Sequence, residues 1–491
     1  MTKEWYKFGN LFACIALAIT PAYAKTGNGF YRHAQLPSER IAELRARGPN
    51  GLAEALATYD ALRQDYARVQ QVILDLDHEI NEAAAMQADD AALVAKQTRL
   101  KEARGEFVNI NWQLEKWSKA IDQIGGQRTC LVSRLYWHTD LEKARQEANR
   151  TGRPILSLRM LGKLTDEYSC ANSRFFRTSL YSNKAISNYL RDNFVLHWQS
   201  VRPVPRVTID FGDGRKLERT LTGNSAHYVL APDGQPLDAL PGLYSPKEFQ
   251  AWLARMNSLF ESYREVAASN RGDLLRSFHA GRNDAIMQAW DADIERLGIE
   301  QSSLVMARMS SLPKSEKVPT AAKASNRAVV KSVEVAPLMR FAKFGGESLE
   351  RSMDDELWQA IANQHREEVQ LDEPSKAVMR EEFPRAAQAG QVSVSKRQQE
   401  DPILKMVRLF EDSLALDTVR NEYLLHRRIH ERFAGGQAES VDALNEWVYA
   451  ELFLTPSSDP WLGLAPRDIY TALDNGGQRE VENDLASRPA E

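Results

Sequence analysis

The chain has 491 residues, 43 % of them apolar and 26 % charged, with a net charge of −4. These are ordinary proportions for a soluble globular protein of two to four domains. With no basic excess, nothing in the composition draws the chain to nucleic acid.

The first 24 residues stand apart. Lys3 and Lys7 precede the short apolar run "FGNLFACIALAIT", and Ala22-Tyr23-Ala24 forms a small-x-small cleavage site. The run is too short to span a bilayer, and nothing else in the chain is apolar enough to do so. A cleaved signal peptide over 1–24 and an exported, periplasmic or secreted, protein are therefore expected. "LFAC" at 11–14 is similar to a lipoprotein box, but Phe12 fits it poorly and most of the apolar run follows Cys14. Cleavage would remove Cys14 and leave Cys130 and Cys170, an even pair in an oxidising compartment.

From 52 to 122 apolar residues recur three or four apart. Leu52, Leu56, Tyr59, Leu62, Tyr66, Val69, Ile73, Leu76 and Ile80 form one run, and Leu100, Ala103, Phe107, Ile110, Leu114, Trp117 and Ile121 form another. The small, polar stretch "AAAMQADDAA" separates them. This pattern predicts an antiparallel coiled-coil hairpin within 25–129, each arm roughly 45 Å long at about 1.5 Å per residue. It suits a hairpin that packs on its own chain and an arm for a partner equally well.

"IGGQRTC" at 124–130 ends the helices, and the period then changes. "DLEKARQEANRTGRP" (140–154) reads as an amphipathic helix closed by Gly152, and "PILSLRML" (154–161) as a buried strand. "SNKAISNYLRDN" (182–193) is a helix with Ile186 and Leu190 inward, and "FVLHWQSV" (194–201) a second strand. "RVTIDFGDGRKLERTLTG" (206–223) is a hairpin around "GDG", and "AHYVLAPDGQPLDALPG" (226–242) two strands joined by a Pro-Asp-Gly turn. Ser245 and Pro246 suit the N-cap and first turn of a helix over 245–263. Helices and strands alternating in this way imply an α/β sheet covered by helices over 130–263. Residues 264–308 read as a helical extension and 309–345 as a linker rich in Lys, Ser and Ala. The region 346–475 is mostly helical, and 476–491 is a polar tail.

The segments "YWHTDLEKARQEANRTGRPILSL", "SCANSRFFRTSLYSNKAISNYLRDNFVLHW" and "YVLAPDGQPLDALPGLYSPKEFQAWL" occur in an order and spacing that resembles the thioredoxin-like superfamily, over about 135–258. The resemblance implies an α/β thioredoxin-like domain, flanked here by the N-terminal hairpin and the helical C-terminal region. It places Cys170 where the family has its attacking cysteine and Ser173 where it has the resolving one. Asn183 falls 13 residues beyond Cys170, and "DNFV" follows at 192–195, a spacing that resembles one branch of that superfamily. Two positions depart from the family. The resolving thiol is missing, and Asn224-Ser225-Ala226 stands where a cis-proline is usual. Dithiol exchange needs two thiols, because a lone cysteine cannot resolve its own mixed disulfide.

Three readings of Cys170 stay open. It is a monothiol nucleophile at a helix start, with Ser173 hydrogen-bonded to its sulfur and Ser225 and His227 as the facing wall. It is half of a structural disulfide with Cys130. Or it is a buried, inert thiol. "NEYLLHRRIHERF" (421–433) sets Glu422, His426 and His430 four apart on one helix face, a spacing that suits a metal. The HExxH order is absent and arginines fill the gaps, so a solvated helix flank is expected there, with no metal and no cofactor. "IDFGDGR" (209–215), with Asp210 and Asp213, is a turn rather than a calcium loop. The expected role is an exported, non-catalytic binding or scaffolding module with a protein partner. The alternative is a monothiol thioredoxin-like protein in periplasmic thiol-disulfide handling.

Overall fold

The computed structural model describes residues 35–86, 90–221, 223–299, 305–306, 349–382, 402–436 and 439–462. The leader expected at 1–24, the linker at 309–345 and the tail at 476–491 lie outside them. The chain divides into two compact units, one of residues 1–40 and 61–120, the other of 41–60 and 121–491. None of the helices among the described residues is long and apolar enough to cross a membrane.

Helices α1 (Ser38–Ala46), α2 (Pro49–Ala85) and α3 (Asp90–Gly125) come first. In the first unit α2 and α3 run antiparallel. Tyr66 meets Phe107 at 4.5 Å, Lys96 pairs with Glu79 at 3.1 Å, and Arg104 pairs with Asp77 at 3.0 Å. Val69, Ile73 and Leu76 form a buried seam with Leu100, Ala103, Ile110 and Leu114. The spacing of three and four that the sequence shows is the spacing of this seam.

In the second unit a short helix α4 (Cys130–Ser133) leads to strand β1 (Trp137–His138). Helix α5 (Leu141–Thr151) follows, capped by Asp140, whose carboxylate accepts from the amides of Glu142 and Lys143, and closed by Gly152 at φ 67°. Strand β2 (Ile155–Leu161) is buried along its whole length. Helix α6 (Ala171–Phe175) runs into a π turn (Phe176–Leu180). Helix α7 (Lys184–Asn193) and strand β3 (Val195–Arg202) come next, then the hairpin β4 (Arg206–Asp210) and β5 (Lys216–Thr220). Strands β6 (Ser225–Leu230) and β7 (Pro236–Pro241) turn at Pro232-Asp233-Gly234, where Gly234 takes φ 92°.

Five strands form one mixed sheet in the order β1-β3-β2-β6-β7, with β4 and β5 as a separate pair. Strand β3 is parallel to both β1 and β2, while β6 is antiparallel to β2 and β7. Its central strands are covered on both faces, which is why β2 is apolar at every position but Ser157 and Arg159. Helix α8 (Pro246–Glu265) packs against β7 and starts where expected, with Ser245 Oγ accepting from the Glu248 amide. Helix α9 (Arg271–Arg296) follows a break at 266–270.

The C-terminal helices are α10 (Leu349–Gln364), α11 (Glu373–Glu382) and α12 (Pro402–Arg420). A second π turn (Asn421–His426) joins α12 to α13 (Arg427–Ala434), and α14 (Val441–Trp447) ends in a third (Val448–Leu452). The π turn 421–426 and α13 lie against β7, so these helices share the core of the sheet. The protein is mixed α/β, with helices at both ends of the sheet segment.

Candidate functional site

Cys170 lies at the N-cap of α6, beyond the end of β2, and its amide donates to Leu161 O at 3.2 Å. Its side chain is fully buried. The thiol Sγ is 2.9 Å from Ser225 Oγ, at the start of β6. Strands β2 and β6 are hydrogen-bonded neighbours, so the end of one and the start of the other bring Cys170 and Ser225 together.

Ser173 is placed differently from the expectation. Its hydroxyl donates to the Cys170 carbonyl at 2.8 Å and leaves the sulfur alone. A serine three residues into a helix bonds most easily to the backbone of the turn below it. His227 also fails as a partner for the sulfur. Its Nε2 is 2.7 Å from the Tyr181 hydroxyl, and its ring packs on Phe176 and Phe249 at 4.5 and 4.9 Å. Burial pushes its pKa down to about 3, so the imidazole is neutral.

The disulfide expectation is corrected as well. Cys130 and Cys170 are free, and each is buried among its own neighbours. The Cys130 thiol donates to Leu135 O at 3.5 Å, and burial pushes its pKa well up. Its amide donates to Asp122 Oδ1 at 2.8 Å, which ties α4 back to the end of α3. The thiol lies against the bare Cα of Gly125, where a Cβ would overlap its sulfur.

The end of the sheet that holds Cys170 is closed by the C-terminal segment. The Tyr449 hydroxyl donates to Asn224 O at 3.0 Å, and Asn224 Nδ2 to Thr455 Oγ1 at 2.6 Å. Arg202, at the end of β3, donates to Thr455 O at 3.2 Å. Tyr228 on β6 reaches Asn445 at 3.1 Å, and Arg159 on β2 reaches Asp442 at 2.9 Å. Phe175 of α6 packs against Phe410 of α12 with ring centroids 5.0 Å apart. Helix start, strand start and C-terminal cover thus converge on a sulfur that solvent does not reach.

A second cluster is the opposite of what the sequence suggested. Glu422, His426 and His430 do not line a solvated flank: both histidines are 1 % exposed and face β7. The neighbouring arginines turn elsewhere, Arg428 and Arg432 lying over the Trp447 ring at 5.7 and 4.4 Å and Arg427 donating to the Met287 sulfur at 3.6 Å. His426 Nε2 is 3.1 Å from Asp238 Oδ2, and its Nδ1 is 2.8 Å from Glu422 Oε2. Trp252 Nε1 donates to the same Asp238 oxygen at 2.9 Å. His430 Nδ1 is 3.9 Å from Asp238 Oδ1 and 2.7 Å from His279 Nδ1. His279 Nε2 donates to Leu237 O at 2.9 Å.

Burial alone would push His426 down, but the Glu422 and Asp238 carboxylates outweigh it and hold its pKa up at about 9. Burial would likewise raise Asp238, and the facing histidines hold it well below the usual carboxylate range. Burial pushes His430 and His279 down. The sequence carried one sign of this centre, an aspartate inside the otherwise apolar strand "PLDALP". A fully buried carboxylate needs a partner.

No family model, no curated protein and no solved structure matches this chain.

Proposed function

We propose that this protein is an exported binding or scaffolding module, built on a thioredoxin-like α/β domain and without dithiol redox chemistry. The observation that carries the reading is the state of Cys170. The sulfur at the family's attacking position is fully buried, its neighbour at the resolving position is a serine bonded to backbone, and Cys130 is buried elsewhere. A thiol that attacks a substrate disulfide needs access as well as a thiolate. The strand order β1-β3-β2-β6-β7, with three parallel strands and then two antiparallel ones, supports the thioredoxin-like part of the proposal. So does a helix that starts at Cys170 after the central strand. The helical hairpin supports the binding part. Val108 and Trp112, one turn apart on α3, are 67 % and 43 % exposed. The proposed partner is a protein, not nucleic acid.

The test pairs two measurements on the full mature chain and its Cys170→Ser variant. Native alkylation of Cys170 is expected to be slow and to need denaturant, and chemical cross-linking in cells is expected to recover the same partner with either chain. Rapid alkylation below pH 7, with a partner held through a mixed disulfide only when Cys170 is present, would establish the monothiol alternative instead.

A further inference from the structure

We propose that Asp238, His426 and His430, with His279 as fourth donor, form a closed binding site for one divalent transition-metal ion of the zinc type. The residues come from β7, α9, the π turn 421–426 and α13, and each is at most 1 % exposed. One ligand atom from each of Asp238, His426 and His430 lies within 4.8 Å of the others. Zinc holds nitrogen and carboxylate oxygen at about 2.0–2.2 Å, so neighbouring ligand atoms of a tetrahedral site stand about 3.4 Å apart. The chain of separations here runs 2.7 Å from His279 Nδ1 to His430 Nδ1, 3.9 Å from there to Asp238 Oδ1, and 3.1 Å from Asp238 Oδ2 to His426 Nε2. These values bracket the tetrahedral edge. Small side-chain movements would bring the donors of Asp238, His426 and His430 onto one ion, with His279 beside them at 2.7 Å from His430 Nδ1.

The rear of the site supports the same assignment. A metal-binding histidine usually donates its other ring N–H to a carboxylate or a backbone carbonyl, which fixes the tautomer and aims the lone pair. His426 has Glu422 Oε2 behind Nδ1 at 2.8 Å, and His279 has Leu237 O behind Nε2 at 2.9 Å. Nε2 of His426 therefore faces Asp238 and Nδ1 of His279 faces His430 Nδ1, and an ion would replace the protons that join these pairs; the ring of His430 has no acceptor behind its Nε2. With Nδ1–H of His426 given to Glu422, the 3.1 Å gap between its Nε2 and Asp238 must hold a cation, either a proton or a metal ion. Asp238 and Glu422 set two carboxylates beside a divalent ion bound by neutral histidines, with Arg282 3.7 Å from the other oxygen of Glu422. Four protein donors leave no open position, so the ion would be structural, joining β7 to helices far along the chain. The proposal does not depend on the fate of Cys170.

The full mature chain would be purified without a metal-affinity tag and its metal content measured by mass spectrometry. It would then be unfolded with chelator and refolded with Zn²⁺ or Co²⁺, because a buried site fills during folding. About one zinc per chain and the visible absorption bands of tetrahedral Co²⁺ are expected, together with a higher melting temperature than the metal-free refolded chain. His430→Ala and His279→Ala should each lose the bands, and circular dichroism would show whether each variant folds. A folded wild type that takes up neither ion would overturn the proposal and leave a proton between Asp238 and His426. Equal uptake by wild type and both variants would also overturn it, by placing the metal elsewhere. The wild-type measurements decide even where a variant fails to fold.

Discussion

Tyr449→Ala tests whether the C-terminal segment is what shields Cys170. Tyr449 is fully packed, and its hydroxyl donates to Asn224 O, next to the serine that meets the sulfur. Truncating a large buried aromatic costs about 3–5 kcal/mol. If that cost falls on the docked segment rather than on the whole fold, the free energy of local opening drops by the same amount. At about 1.4 kcal/mol per decade, Cys170 would be exposed about 100- to several-thousand-fold more often. The assay is the rate of Cys170 alkylation without denaturant, read by peptide mass spectrometry, with Cys130 as internal control. Acceleration confined to Cys170 is expected. Equal acceleration of both thiols would mean that the segment opens only with global unfolding. An unchanged rate would show that Cys170 is shielded by α6 and the sheet alone, which would refute the reasoning.

Other perturbations follow from the same contacts. Partial burial raises the Asp122 pKa to about 6, so its folded pKa exceeds the unfolded value near 3.9. The sign is that of a group holding its proton more tightly when folded: its contribution is fully present below pH 4 and is lost as pH rises through 6. Asp122→Asn keeps an acceptor for the Cys130 amide, so denaturant melts should show a variant about 2 kcal/mol more stable than wild type at pH 7, with no gain at pH 4. His365 has a raised pKa through its bond to Asp293, so the stability this pair supplies should be present below pH 6 and fade above neutrality, a trend that His365→Gln should abolish in melting curves. Gly242 has φ 88°, and a Cβ there would lie 2.7 Å from Asn421 Cγ, so Gly242→Ala should cost about 2 kcal/mol or more and lower the melting temperature by several degrees. Leu158→Ala, at a fully buried position of β2, should cost about 2–5 kcal/mol in the same measurement.

Much of the architecture was legible because it is written locally. The heptads of α2 and α3, the Gly152 stop of α5, the "GDG" and "PDG" turns and the Ser245 cap all act within a few residues. Strand β1 was not legible: Trp137 and His138 form a strand only because they pair with Leu196 and His197. Helix α1 was missed too, since nine mostly polar residues around one buried Leu44 give almost no period. For the candidate site, the resemblance to a thioredoxin-like domain implied that Ser225 faces Cys170, and the two do meet. It could not show that a segment more than 200 residues away would seal that place. The histidine centre was the hardest to read. His426 and Asp238 are 188 residues apart, and the arginines between the histidines suggested water on a face that meets a strand. Helix periodicity says which residues share a face, and only the tertiary fold says what that face touches.

The Tyr449–Asn224 hydrogen bond closes a loop of 225 residues. At a synthesis rate of about 5–20 residues per second, Tyr449 emerges roughly 10–45 s after Asn224. The sheet can pair long before then, since every strand in it precedes residue 242. The finished protein conceals Cys170, but the growing chain carries it without that cover for roughly 10–45 s. In that interval the end of the sheet beside Cys170 lacks its C-terminal cover, and the arrival of Tyr449 supplies it.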